Sequence, residues 1–305
     1  MRYRRFAPLD RDLSCLVLGS MVFSLDAIDL TFAMLDTWLE LGGNVVDTAH
    51  LYAGGNSERA IGRYLAARGC RDALVLLTKG AHHNVDRRRV TPEDITCDLR
   101  DSLARLRTDA VDLYLLHRDD PAVPVGPIVT CLNEHHRAGR IRAFGGSNWT
   151  TARLEAANAY AAAHGLVGFT ASSPHLSLAV PNGEIWEGTV SAREPADLAW
   201  YERTRMPLFA WSSQARGFFA GVESDVVRRV YHNEANFERR RRAEAWGKRH
   251  GYSATQVALA WLLHLPLEVY PIVGPVTVEE LRACVAALEI ALTPEEVRWL
   301  DLGDG

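Results

Sequence analysis

The chain has 305 residues, 48% hydrophobic and 24% charged, an ordinary balance for a soluble globular protein. A net charge of −4 offers no attraction to nucleic acid or an anionic membrane as partner. Five scattered cysteines with no CxxC pair exclude a disulfide framework and a zinc ribbon, and suit free thiols in a reducing compartment such as the cytoplasm.

The first apolar run, 13–23, follows an arginine-rich start and superficially resembles a leader. Asp10 and Asp12 sit where a leader would be basic and no A-x-A site follows, so the run reads as a core β-strand. No stretch approaches the ~20 apolar residues of a membrane span. From Leu16 onward short apolar runs alternate with amphipathic stretches, the later runs beginning near Val45, Leu74, Val111, Ile141, Val167, Leu208 and Val269. Helical patterns lie between them, among others at 60–68, 94–106, 152–163 and 256–264. Thr91-Pro92-Glu93-Asp94 and Thr293-Pro294-Glu295-Glu296 each read as an N-cap, a proline at the first helical position and an acid in the first turn. Gly69 and Gly251 read as C-terminal caps. The longest gap, between the seventh and eighth runs, predicts a loop insertion around 217–237, and a short last helix falls around 294–301.

Eight strand-then-helix units predict a single (β/α)8 barrel domain over 1–305, a fold that needs roughly 250 residues plus insertions. An open doubly wound sheet would show a GxGxxG turn after an early strand, and the sequence has none.

In such a barrel, chemistry sits at the C-terminal ends of the strands, and alternation says which side chains share a face. Val45 and Asp47 do so in the second strand. Val75, Leu77 and Lys79 do so in the third, and Val111, Leu113, Leu115 and His117 in the fourth. Each set is apolar until its last, ionisable member, so an acid, an ammonium and an imidazole meet at one mouth, where they must pair to be tolerated. Tyr52 follows five residues after Asp47, and Gly54-Gly55 predicts the turn that folds it back. The four suit proton transfer to a carbonyl oxygen. A tyrosine acid working near neutrality is expected to have a pKa below the usual ~10, lowered by a nearby lysine. Asp47 would hold Lys79 charged, and His117 would orient the carbonyl.

Val46-Asp47-Thr48-Ala49-His50-Leu51-Tyr52, Leu77-Thr78-Lys79-Gly80, Asp112-Leu113-Tyr114-Leu115-Leu116-His117 and Gly146-Ser147-Asn148 resemble, in order and spacing, the successive motifs of the aldo-keto reductases. The resemblance implies a (β/α)8 oxidoreductase that interconverts carbonyls and alcohols with NAD(P)(H). It makes Tyr52 the general acid, tuned by Lys79 and Asp47, with His117 positioning the substrate. It assigns Ser147 and Asn148 to the carboxamide, Trp211 to stacking on the nicotinamide, and Ser212 and Gly217 to the pyrophosphate.

Two departures concern the cofactor. Ser173 stands where the family often has a glutamine. The segment from Gly274 to Arg282 lacks the basic pair and later arginine of NADP-selective members, and places Glu280 at the arginine position. Thr277 and Glu280 also read as a capping box. With Arg282 these are the candidate contacts at that end, and NADP(H) stays slightly ahead of NAD(H) on family prevalence. His50, Trp149 and Trp186 are the candidates for substrate contact, Trp149 reading equally well as a packing anchor. The run Glu238–Arg242 reads as the solvated start of a helix, with a role in holding the adenosine phosphates as the alternative. Two rivals remain at this level. One is a metal-dependent hydrolase using His50, His82, His83, Asp119 and Asp120, which lack H-x-H or HExxH spacing. The other is a cofactor-sensing regulatory subunit of the same fold.

Overall fold

The computed structural model describes residues 1–303. Its two opening strands, β1 (Tyr3–Phe6) and β2 (Arg11–Ser14), pair antiparallel in a hairpin. Eight parallel strands then close a barrel: β3 (Val17–Gly19), β4 (Val45–Asp47), β5 (Val75–Gly80), β6 (Val111–Leu116), β7 (Ile141–Ser147), β8 (Ser172–Ser173), β9 (Leu208–Ala210) and β10 (Val269–Val273). They follow one another around the barrel in chain order, and β10 returns to pair with β3. The helices of the outer ring are α1 (Ile28–Glu40), α2 (Asn56–Arg68), α3 (Pro92–Leu106), α4 (Val125–Arg137), α5 (Thr151–Ala163) and α6 (Pro195–Thr204) in the first part of the chain. After β9 come α7 (Asp225–Tyr231), α8 (Glu234–His250) and α9 (Ala254–Leu263), and after β10 come α10 (Val278–Ala286) and α11 (Pro294–Leu302). The expected (β/α)8 barrel is the fold observed, and among the described residues no helix is long and apolar enough to cross a membrane.

The helix signals act as their chemistry requires. Thr91 accepts from the Asp94 N–H with Pro92 at the first position, and Thr293 and Glu296 close a full capping box. Gly69 and Gly251 end α2 and α8 in the left-handed region. Four expectations are corrected. The 13–23 run is divided between hairpin and barrel, Leu13 lying in β2 and Val17–Gly19 forming β3. The sixth strand starts at Ser172 instead of Val167, because the Val167 and Phe169 N–H groups donate to the side chains of Asn133 on α4 and Asn158 on α5. The segment 217–237 is mostly helical, since Ser224 and Asn233 cap α7 and α8. Thr277 caps α10, but Glu280 reaches past it to accept from the Val276 N–H at 2.8 Å, leaving the box open.

Alternation separates two cores. Val17, Val45, Val75, Leu77, Leu113, Leu115, Phe209 and Tyr270 fill the barrel with Phe6 and Leu13 of the hairpin, while the outward faces pack against the helices. Val111, expected among the inward set, belongs to the outer core. The hairpin seals the N-terminal end. Phe6 meets Phe209 and Tyr270 edge-on at 6.1 and 6.3 Å, and those two rings stack at 4.8 Å. Arg4 and Arg11 bond backbone carbonyls at the starts of β10 and β5. That end is closed, so function is left to the other.

Candidate active site at the barrel mouth

At the C-terminal end the strand ladders continue for a few residues into the loops. The N–H groups of Thr48 and His50 donate to Leu77 and Lys79, and that of His117 donates to Gly80. After Tyr52 three successive residues, Ala53, Gly54 and Gly55, have φ of 49°, 61° and 86°, a left-handed stretch that favours glycine. A Cβ at Gly55, at φ 86°, would be strained and would lie 2.6 Å from the Arg105 guanidinium, which would have to move aside. This turn folds Tyr52 back over the strand ends.

The result is a compact cluster. Lys79 Nζ donates to Asp47 Oδ1 at 2.5 Å, to the Thr48 carbonyl at 3.0 Å and to Tyr52 Oη at 3.2 Å. An ammonium has three donors, and all three are satisfied. Lys79 and Asp47 are each only 2% exposed. Burial works against the Lys79 charge, but Asp47 and Tyr52 outweigh it and raise its pKa, so the lysine stays an ammonium. Burial likewise pushes the Asp47 carboxyl up, with Lys79 opposing. The His117 ring lies 5.8 Å from that of Tyr52, edge to face. Burial, then the charges of Lys79 and Arg118, hold its pKa well below the usual histidine value. His117 is therefore a neutral imidazole, and its buried Nδ1 has no hydrogen-bond partner among the described residues.

One electrostatic expectation is overturned. The Tyr52 pKa is raised, because burial pushes the phenol up by more than Lys79 pulls it down, and the charge of Asp47 adds to the rise. Tyr52 thus holds its proton at neutral pH, as a donor must.

The remaining candidates fall in different places. Ser147 Oγ donates to the Ser173 carbonyl, and Asn148, at φ 59°, donates from its amide to the His117 carbonyl. Ser173 likewise donates its hydroxyl to a backbone carbonyl, that of Phe209. Trp211 follows β9 with its ring 5.1 Å from His175 and 5.7 Å from Trp186. Its buried Nε1 has no partner among the described residues. Ser212 and Gly217 lie in the following turn with φ of 49° and 85°. Gly274 is exposed after β10, with open space where a Cβ would stand. Trp211, Ser212 and Gly217 follow β9, and Gly274 follows its neighbour β10, so the chain leaves both strands at this end of the barrel.

Three side chains are elsewhere. His50 turns to α3, with Nε2 3.1 Å from Asp101 and 3.7 Å from Asp98, because two carboxylates attract it there. Trp149 is 1% exposed, donates to the Arg118 carbonyl and packs on Phe169; it is an anchor. Arg282 pairs with Glu40 on α1 at 3.6 Å, away from the mouth. Trp186, 38% exposed with the Arg216 guanidinium over its ring, does stand at the rim. In the run Glu238–Arg242, Arg239 and Arg242 bind Asp301 and the carbonyls of α11, a structural role. The His82 ring lies 4.2 Å from that of His83, tilted, and 5.0 Å from that of His117, edge to face, but among the described residues no three His, Cys, Asp or Glu side chains converge as a metal requires.

Sequence reasoning passed over Glu58, which is fully buried beneath the cluster and bonded by Thr78 and Arg105. It also passed over Arg118, buried next to His117. Glu58 is hidden because a charged residue early in a helix normally reads as solvated. Arg118 is hidden because alternation puts it on the face opposite His117, outside the inward set.

The sequence model of the Aldo/keto reductase family matches residues 16–302. Norsolorinic acid reductase of Emericella nidulans is 32% identical over 288 residues, covering 88% of this chain and 70% of its own. A thermostable aldo-keto reductase solved with the inhibitor epalrestat superposes with a TM-score of 0.78 at 25% identity, covering 99% of both chains. An aldo-keto reductase of Klebsiella pneumoniae in complex with NADPH gives 0.77 at 25% identity, covering 98% of this chain and 94% of that one.

Proposed function

This chain belongs to the aldo/keto reductase family and is an oxidoreductase, and we propose that it reduces an aldehyde, ketone or sugar carbonyl reversibly, with Tyr52 as the general acid. The observation that carries the reading is the fully satisfied Lys79 ammonium, which joins Asp47 to the Tyr52 hydroxyl beside a neutral His117. When bound, a reduced nicotinamide supplies the hydride; the residues do the rest. The Tyr52 O–H and the His117 ring hold the carbonyl oxygen and orient the carbon. As charge builds on that oxygen, Tyr52 gives up its proton, and the phenolate left behind lies 3.2 Å from Lys79. That placement stabilises the product of proton transfer more than the reactant, which is what catalysis requires. Asp47 keeps the lysine in place and charged.

Trp211 offers the stacking face for the nicotinamide, with Ser147 and Asn148 near its carboxamide and Ser212, Gly217 and Gly274 along the pyrophosphate. We take NADP(H) as the preferred cofactor, following the Klebsiella relative solved with NADPH. The residues after β10 add little to that preference, since Glu280 already occupies the Val276 N–H and Arg282 is turned to Glu40. Trp186 stands as the substrate-side wall, and the five free thiols suit the cytoplasm.

The test is a titration with NADPH and NADH followed by tryptophan fluorescence, then absorbance at 340 nm with simple aldehydes. Tyr52→Phe is expected to lower turnover by roughly 10²–10⁴-fold, the usual worth of a positioned acid, with cofactor affinity nearly unchanged. Turnover that survives this substitution removes Tyr52 as the acid.

A further inference from the structure

We infer that Arg118 anchors a second recognition site beside the tetrad, one that binds a carboxylate carried by the carbonyl substrate. The inference rests on the reductase reading above and adds a substrate class to it.

Arg118 is 7% exposed. Its Nε donates to the Glu187 carbonyl at 3.1 Å and its Nη1 to the His117 carbonyl at 2.9 Å. A guanidinium has five N–H donors, so three remain, including both on Nη2. The side chain lines a cavity of about 170 Å³ together with His83, Arg88, Arg89, Asn148, Glu187 and Gly188. Cavities of ~150 Å³ admit benzene, so a benzoate-sized group has room.

The charges around this cavity are unevenly matched. Arg88 pairs with Asp120 at 3.4 Å and Arg89 with Asp98 at 2.6 Å, and Asp119 is taken by Arg153 at 2.9 Å. Arg118 forms no ion pair among the described residues. The Glu184 and Glu187 side chains come nearest in charge, but both are exposed to solvent and neither bonds it. A buried cation held only by two carbonyls is under-compensated, and a carboxylate is the anion whose shape fits a guanidinium. The arrangement is built. Gly188, at φ 69°, would place a Cβ 3.3 Å from Arg118 Cδ, so a glycine there lets the 174–194 loop close over the side chain. The site also adjoins the chemistry, because Nη1 grips the backbone of His117 itself.

Direct binding separates this inference from its premise. Sodium benzoate and neutral benzamide are titrated calorimetrically into the NADP⁺-loaded protein, wild type and Arg118→Met. Wild type is expected to bind benzoate at least about tenfold more tightly than benzamide, roughly one charge-assisted hydrogen bond. Arg118→Met is expected to bring the ratio close to one. Arg118→Lys, which keeps the charge but loses the fork, is expected to retain part of it and guards against a Met variant that fails to fold. In parallel, 2-, 3- and 4-carboxybenzaldehyde are compared with benzaldehyde by kcat/KM, and at least one acid should be preferred only while residue 118 is cationic. Equal binding of benzoate and benzamide, or a ratio that survives Arg118→Met, overturns the inference. If benzoate behaves as expected but no aldehyde is reduced, the anion site stands and the reductase reading falls.

Discussion

The two ends of this barrel solve opposite problems with the same strands. The N-terminal end is closed by Phe6, Phe209 and Tyr270, three rings that pack edge and face with no charge among them. The C-terminal end buries Asp47, Lys79, His117 and Arg118 within a few residues of the last apolar layer. Ring packing, with Arg4 and Arg11 tied to backbone carbonyls around it, satisfies the first end. The second is tolerable because most of its charges meet one another; among the described residues Arg118 forms no ion pair, and His117 Nδ1 and Trp211 Nε1 have no hydrogen-bond partner. Both ends contribute to stability, but the reactive groups gather at one.

The comparison can be broken most forcefully at Lys79. Lys79→Met strands Asp47 in the interior, and breaking a buried pair from one side is expected to cost about 3–5 kcal/mol and nearly all turnover. Urea unfolding and the 340 nm assay would show both losses together. Phe6→Ala is the counterpart at the closed end. Removing a buried phenylalanine is expected to cost about 3–5 kcal/mol, toward the lower figure since the hairpin can settle, while turnover per folded molecule stays within about twofold. A Phe6→Ala protein that folds but has lost its turnover would show that the two ends are not independent.

Acid should also act at the mouth. Burial holds the pKa of His175, behind Trp211, down to about 3, with the Arg193 charge adding to the shift, and His117 is lowered for similar reasons. In the unfolded chain both titrate near 6.5. Below that pH the unfolded state binds more protons, so stability falls with pH until the folded pKa is reached. Between pH 6.5 and 5 the buried neutral His175 is expected to remove about 1.6 kcal/mol, and His117 acts in the same direction. Urea midpoints at the two pH values, compared with those of His175→Gln, should show a shallower loss in the variant; parallel losses would remove His175 from the account.

The smallest effect is expected at Glu280. Glu280→Gln removes the negative charge beside the Val276 N–H and is expected to raise the NADP(H):NAD(H) affinity ratio by a few fold, up to about 1.4 kcal/mol if tenfold. An unchanged ratio, read from the two fluorescence titrations, would leave Glu280 only as the acceptor of the Val276 N–H.

Much of this molecule was legible along the chain. Period-two alternation set Asp47, Lys79 and His117 at the ends of apolar strands, and turn chemistry at Gly54-Gly55 returned Tyr52 to them; both are local signals with one physical outcome. Helix ends at Thr91, Thr293, Gly69 and Gly251 were local in the same sense. What failed needed partners distant in sequence. Val167 has the composition of a strand, but asparagines on α4 and α5 take its part of the chain out of the sheet. His50 sits inside the Tyr52 motif, yet carboxylates on α3 turn its ring outward. Trp149 and Arg282 were settled by Phe169 and Glu40, neither a neighbour in the chain. The sign of the Tyr52 shift depended on burial against attraction, a balance that exists only once the barrel has closed. Sequence by itself determined the strand order, the caps and which chemical groups end the inward faces, because hydrophobic period and backbone stereochemistry act over a few residues. Only the tertiary structure decided which of those groups meet, which are neutralised and which, like Arg118, are left wanting a partner, because burial and charge are properties of the assembled whole.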